Sequence, residues 1–145
     1  MRAVTRAREK LEAFMRFAAD LAWLGTCSRL KVGAVVTDYR LERIYGIGYN
    51  GNAAGEPNEC DSQDPGTCGC VHAEANALVK CSTTDRAKVM FSTTRPCLAC
   101  AKLIVNSGFS TVFYMDEYRS DDGGAKLLVR RGVRLKKLEA IWPQR

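Results

Sequence analysis

Four residues in this sequence have the types and the spacing for metal-assisted hydrolysis. His72, the only histidine, stands two residues before Glu74, and Pro96-Cys97-Leu98-Ala99-Cys100 follows with Cys97 placed 25 residues beyond His72. A catalytic zinc takes three protein ligands and keeps a fourth position for water. His72, Cys97 and Cys100 would supply one imidazole and two thiolates, which balance the two charges of the ion. Glu74 would share a first helical turn with His72, close enough to exchange a proton with the metal's water without being a ligand. A lone C-x-x-C occurs in redox and structural zinc motifs too, and a lone histidine at a helix start is usually a cap or a surface residue. The conjunction of the two points to catalysis.

Those residues need elements to position them. Leu11, Phe14, Met15, Ala18, Leu21 and Ala22 recur at three- and four-residue spacing, which predicts an amphipathic helix from about Arg6 to Leu24, stopped by Gly25. Val32–Thr37 and Ile44–Tyr49 are short β-branched or aromatic runs around a polar turn and read as an antiparallel hairpin. From Val71 onward the pattern alternates: helix Val71–Cys81, strand Lys88–Thr93, helix Pro96–Ser107, strand Thr111–Met115, helix Asp122–Arg131, strand Val133–Lys137. Pro96 would open its helix as the first helical residue, and Gly108 and Gly132 would end two of them. Alternation of this kind implies parallel crossovers. The expected fold is a three-layer α/β/α sandwich on a five-stranded mixed sheet whose last strands are parallel, a single domain over residues 1–145. Both metal-ligand sets then sit at helix N-termini, where the dipole favours thiolate over thiol.

Composition bounds the setting. The 145 residues are 46% hydrophobic and 26% charged, which predicts a packed core. Seven cysteines are an odd number and cannot all pair within the chain. Met1–Lys10 lacks the apolar stretch of a secretory signal, and no apolar run is long enough to span a bilayer. A reducing, cytoplasmic compartment is expected, with thiols used for metal or catalysis. The formal charge of +6 suits an anionic ligand such as a nucleotide, and equally a merely basic surface. The twelve aromatic residues are scattered, mostly at expected core positions. Residues Gly51 to Gly69 are polar and aperiodic, and a loop that long is usually functional or pinned by something other than a core.

The H-x-E … P-C-x-x-C pattern is the signature of zinc-dependent nucleobase deaminases. Over most of its length, from about Leu11 to Leu138, the chain resembles the deoxycytidylate (dCMP) deaminase branch, phage and microbial type. The resemblance is carried by Lys31-Val32-Gly33-Ala34-Val35-Val36, Gly48-Tyr49-Asn50-Gly51 and His72-Ala73-Glu74-Ala75-Asn76-Ala77-Leu78. To these are added Thr94-Arg95-Pro96-Cys97-Leu98-Ala99-Cys100-Ala101-Lys102 and Asn106-Ser107-Gly108-Phe109. It implies a cytidine-deaminase-like fold and conversion of dCMP to dUMP and ammonia, with Glu74 carrying protons to the pyrimidine ring nitrogen and the leaving amine. It further implies that Asn50 hydrogen-bonds the deoxyribose and that the backbone N–H of Ala73 meets the pyrimidine carbonyl. Tyr118-Arg119 and Arg29 are the candidates for the 5′-phosphate. The chain departs from the family where Ala53-Ala54-Gly55 replaces the common Pro-Arg after G-Y-N-G-x, which puts some phosphate contacts in doubt. Family members assemble as dimers or hexamers, and some respond to nucleoside triphosphates. Tyr118–Gly124 lies where such contacts could sit.

The resemblance also bears on the other cysteines. Some relatives carry a second, structural zinc between the end of the first helix and the long loop. Cys27 and Cys60 fall at matching places, and Cys68 and Cys70, flanking Gly69, would complete a four-thiolate site that pins the loop. Cys81 reads as packing. Two zinc ions per chain follow, and the four thiolates with their zinc would bring +6 to about +4.

Two other readings share part of the pattern. One is a deaminase of free cytidine or deoxycytidine, or of cytosine in single-stranded nucleic acid. The charge leans slightly toward nucleic acid, but no basic stripe with interleaved aromatics is present. The other is a non-catalytic, zinc-stabilised binding module, which would need no acid such as Glu74 beside its ligands.

Overall fold

The apolar stripe near the N-terminus forms helix α1 (Arg2–Ala22), whose Met15, Ala18 and Leu21 are buried with Leu11 and Phe14 packed beside them. The computed structural model describes residues 2–64, 67–117 and 121–139. The remaining elements are β1 (Gly33–Thr37), β2 (Ile44–Tyr49), α2 (Ala73–Val79), β3 (Lys88–Thr94), α3 (Leu98–Ser107), β4 (Phe109–Asp116), α4 (Gly123–Arg130) and β5 (Arg134–Lys137). Among the described residues, no helix is long and apolar enough to cross a membrane.

The sheet order is β2-β1-β3-β4-β5. Strand β1 pairs antiparallel with both β2 and β3, while β3/β4 and β4/β5 pair in parallel. Hence β2 runs with β3, β4 and β5, and the carboxyl ends of these strands gather at one edge, where ligand sites of α/β sheets usually lie. The expected mixed sheet and three layers are both present. Successive side chains of β3 face opposite ways: Val89 and Phe91 join α1, and Met90 joins α2, α3 and α4. Phe91 stacks between Phe14 and Phe113, with ring centroids 5.6 and 5.2 Å away. Strands β1 and β3 are buried along their whole length, so they read as continuous runs rather than alternating ones. The outer strand β5 exposes Arg134, Lys136 and Lys137.

Some expectations shift. Helix α2 starts at Ala73 and α3 at Leu98, because His72 and Cys97 have extended backbones (ψ 153° and 172°) and stand as N-caps. Pro96 therefore precedes the cap rather than opening the helix. Trp23 and Tyr39 lie on the surface, 52% and 61% exposed, rather than in the core. Lys88 at the start of β3 is buried, and its ammonium donates to the carbonyls of Asp85 and Ser107.

The hairpin meets α2 at backbone range. A Cβ on Gly48 would stand 2.2 Å from Ala73 O and 2.5 Å from Ala77 N. Asn76 Nδ2 donates to Tyr49 O at 2.9 Å, and Gly51 and Val71 form an antiparallel bridge. The end of β2 is thereby locked beside the start of α2. Substituting Gly48→Ala should push the two apart and lower unfolding free energy by about 1–3 kcal/mol, read from urea melts.

Candidate active site and a second thiol cluster

The N-caps of α2 and α3 converge at the carboxyl edge of β3. His72 Nδ1 stands 3.5 Å from Cys97 Sγ and 3.3 Å from Cys100 Sγ. Donor atoms held about 2.0–2.3 Å from a tetrahedral zinc stand roughly 3.3–3.8 Å apart, so the donor set fits a metal on both type and spacing. Cys100 is buried, Cys97 half-buried and His72 exposed, so the triad opens to one side. Cys97 Sγ also accepts the Cys100 N–H at 3.5 Å, an N-terminal cap that favours its thiolate. The neighbouring Cys100 thiol and the His72 ring push the Cys97 thiol down to about 3. The Cys97 thiolate in turn raises the His72 ring, and the same neighbour together with burial drives Cys100 upward.

Glu74 is 4% exposed and lies on the first turn of α2. Cys100 Sγ reaches its Oε2 at 3.8 Å. Burial pushes its carboxyl above the usual range. Ser92 Oγ lies 2.8 Å from Thr94 O and 3.3 Å from Glu74 Oε1. A hydroxyl has one proton, so it donates to one of these acceptors at a time, and when it donates to Thr94 O it can accept from a protonated Glu74. Sequence reasoning passed over Ser92, since its alternation on β3 marks it only as inward-facing.

The four remaining loop cysteines also come together. The sulfur atoms of Cys27, Cys68 and Cys70 lie within 4.8 Å of one another. Cys60 Sγ stands 3.7 Å from Cys27 Sγ and 3.6 Å from Cys70 Sγ. The tight Cys68-Gly69-Cys70 spacing works because Gly69 adopts φ +76°, where a Cβ would also strike the Asp61 side chain. The Ser28 backbone and the Cys70 thiol lower Cys60 to about 7, whereas burial raises Cys70. All seven cysteines are free thiols. Cys81 is half-buried and packs against the core as expected.

His72 and Cys97 of the first cluster and Cys27, Cys68 and Cys70 of the second line one cavity, with Asn50, Ala73 and Glu74 on its wall. Asn50 is buried. Its Oδ1 accepts the Val32 N–H at 2.8 Å and its Nδ2 donates to Leu30 O at 2.6 Å, so the side chain braces the entry to β1 as well as facing the cavity. Ala73 is the first residue of α2, where backbone N–H groups lack intrahelical acceptors. Arg29 lines the cavity and donates from Nη1 to Asp64 O at 3.5 Å. Tyr118 and Arg119 lie outside the described residues. Arg95 also lines the cavity, although sequence reasoning did not single it out. The available signal was its place directly before Pro-Cys-x-x-Cys.

The family profile described as "Cytidine and deoxycytidylate deaminase zinc-binding region" matches residues 8–116. The deoxycytidylate deaminase of Mycobacterium phage D29 is 38% identical over 122 residues, covering 73% of this chain and 94% of the relative. That of Saccharomyces cerevisiae is 35% identical over 136 residues, covering 85% of this chain. The chain spans only 43% of the yeast protein's length. Among solved structures, the dCMP deaminase of cyanophage S-TIM5 in complex with dCMP and dUMP superposes with a TM-score of 0.79 at 36% identity, covering 88% of this chain and 95% of that one.

The unequal thiols make a chemical prediction. In metal-free protein at pH 7, iodoacetamide should modify Cys97 and Cys60 before Cys100 and Cys70, as read by peptide mass spectrometry. Zinc should protect Cys97. Faster labelling of Cys100 than Cys97 would contradict the arrangement described.

Proposed function

The chain belongs to the cytidine and deoxycytidylate deaminase family, and from that membership we propose that it catalyses the hydrolytic deamination of dCMP to dUMP and ammonia. The observation that carries this is the buried Glu74 carboxylate beside the His72–Cys97–Cys100 triad, on the wall of a cavity that Asn50 and Arg29 also line. When bound at the triad, zinc supplies the positive charge that makes a water acidic near neutral pH. His72 and the two thiolates would hold that ion, and the Cys100 N–H that caps Cys97 Sγ favours its donor form. Glu74 takes up one proton of the attacking water and delivers it to the ring nitrogen beside the amino-bearing carbon, to which the water oxygen bonds; it then moves the remaining proton of that new hydroxyl to the amine, which leaves as ammonia while the carbonyl forms. Burial favours its neutral form, so it holds the proton between these transfers more readily than an exposed carboxylate would. The Ala73 N–H receives the pyrimidine carbonyl, the Asn50 amide the sugar hydroxyl, and Arg29 with Tyr118 and Arg119 the phosphate side.

The same reading assigns a structural zinc to Cys27, Cys60, Cys68 and Cys70. Sulfur separations near those of a tetrahedral thiolate site, and a long loop that converges on the cluster, support it. Seven free thiols support a reducing, cytoplasmic setting. Apolar Val79, Leu103 and Val129, exposed on the helical layer, support homo-oligomerisation. A sizing run with and without deoxynucleoside triphosphates reads both assembly and any effector.

Purified without added metal, the protein should hold two zinc ions per chain. Cys60→Ser should drop this to one and lower the melting temperature, and one zinc in the unaltered protein would remove the structural site. Glu74→Gln should keep the fold and the zinc while cutting kcat by about 100- to 10,000-fold. An ammonia-release panel of dCMP, CMP, deoxycytidine, cytidine, adenosine and single-stranded DNA should give the highest kcat/KM for dCMP. Equal rates with deoxycytidine would overturn the nucleotide reading and leave the zinc chemistry intact.

A further inference from the structure

We propose that Arg95 is the specificity-determining residue that makes this site prefer a 5′-phosphorylated substrate over the free nucleoside. The proposal rests on the cytosine-nucleotide reading above and assigns to it a cation that this reading does not include.

Arg95 follows the last residue of β3 and precedes Pro96 and the metal-ligating Cys97. Its backbone is fixed on both sides. The Arg95 N–H donates to Asp116 O at 2.8 Å, which extends the β3–β4 pairing, and the next residue is a proline with a locked φ. The side chain is held as well, at 14% exposure. Nη2 donates to the backbone carbonyl of Asp121 at 3.2 Å, and Nη1 lies 3.7 Å from Glu117 Oε1. Glu117 is 47% exposed, and its Oε1 also accepts the Tyr114 hydroxyl at 3.0 Å. The Tyr114 hydroxyl also hydrogen-bonds Arg95, so Glu117, Tyr114 and the Asp121 carbonyl together orient the guanidinium.

Arg95 and Arg29 approach the cavity from different parts of the chain. Arg29 stands in the loop before β1, with a long bond to another loop. Arg95 is placed by the strand that also positions Cys97. An arginine whose fork is already oriented loses less freedom on binding, and a planar guanidinium matches two phosphate oxygens at once. Two acidic groups share the cavity wall. Glu74 lies at the metal triad, and Asp121 Oδ1 accepts the Gly123 N–H at 2.9 Å at the start of α4. A nucleotide with its base at the triad must carry its phosphate away from the metal.

The test compares kcat/KM for dCMP and deoxycytidine in the zinc-loaded full chain, its Arg95→Gln variant and its Arg95→Lys variant. Zinc content and circular dichroism are checked for each. Arg95→Gln should lower kcat/KM for dCMP by about 10- to 100-fold, mostly through KM, while deoxycytidine changes less than about threefold. Arg95→Lys keeps the charge without the fork and should fall between. Equal loss on both substrates would make Arg95 structural and overturn the proposal, as would an unchanged ratio in both variants. If Arg95→Gln does not fold, the Arg95→Lys ratio decides alone. Wild-type protein that deaminates another cytosine compound but not dCMP would instead overturn the substrate reading itself, a result distinguishable before any variant is made.

Discussion

Two thiols, an imidazole and a carboxylate packed around one point cannot all be in their metal-ligating or proton-accepting forms without a cation among them. The directions in which these groups are pushed agree with that competition. Cys97 takes the negative charge, and Cys100 and Glu74 are driven toward their neutral forms by proximity and burial. A divalent ion relieves that competition, because both thiolates and a charged Glu74 then face positive charge. The rest of the fold can be understood as the apparatus that makes so unfavourable a cluster persist. Two helices aim their N-termini at it, one stripe of sheet supports it from below, and α1 covers the opposite face of the sheet.

The positional demands fall on very few backbone contacts. Gly48 lets the hairpin touch α2, the Gly51–Val71 bridge sets the entry to His72, and the Asn50 amide ties that bridge to the start of β1. Asn50 thus joins two tasks in one side chain. It supports the wall while remaining part of it, so its replacement would disturb shape as well as recognition. Gly69 has a comparable position in the second cluster, where a single left-handed residue lets two cysteines one residue apart turn toward the same partners.

Much of this was legible from residue order. The metal triad, Glu74 and the alternation that makes the sheet parallel after β3 follow from types and spacing, because ligand sets and hydrophobic periods are local or pattern-bound, whereas the gathering of Cys27, Cys60, Cys68 and Cys70 was implied only by the resemblance to relatives. What escaped depends on three-dimensional context. Helix starts shifted by two residues because an extended His72 and Cys97 cap rather than begin their helices, a distinction of backbone angle that residue type does not encode. Arg95 and Ser92 were overlooked because the first reads as a connector and the second as an ordinary strand residue, until the strand's end is seen to form a cavity wall. Trp23 and Tyr39 follow the same logic in reverse: apolar type suggests burial, but neighbours decide it.

The outer strand β5 has a consequence at the scale of many molecules. An unpaired strand edge is a template for sheet-to-sheet growth. Here a second copy arriving strand against strand would bring Arg134, Lys136 and Lys137 against their own counterparts. Like charges meeting along that seam oppose the growth of an endless ribbon through β5.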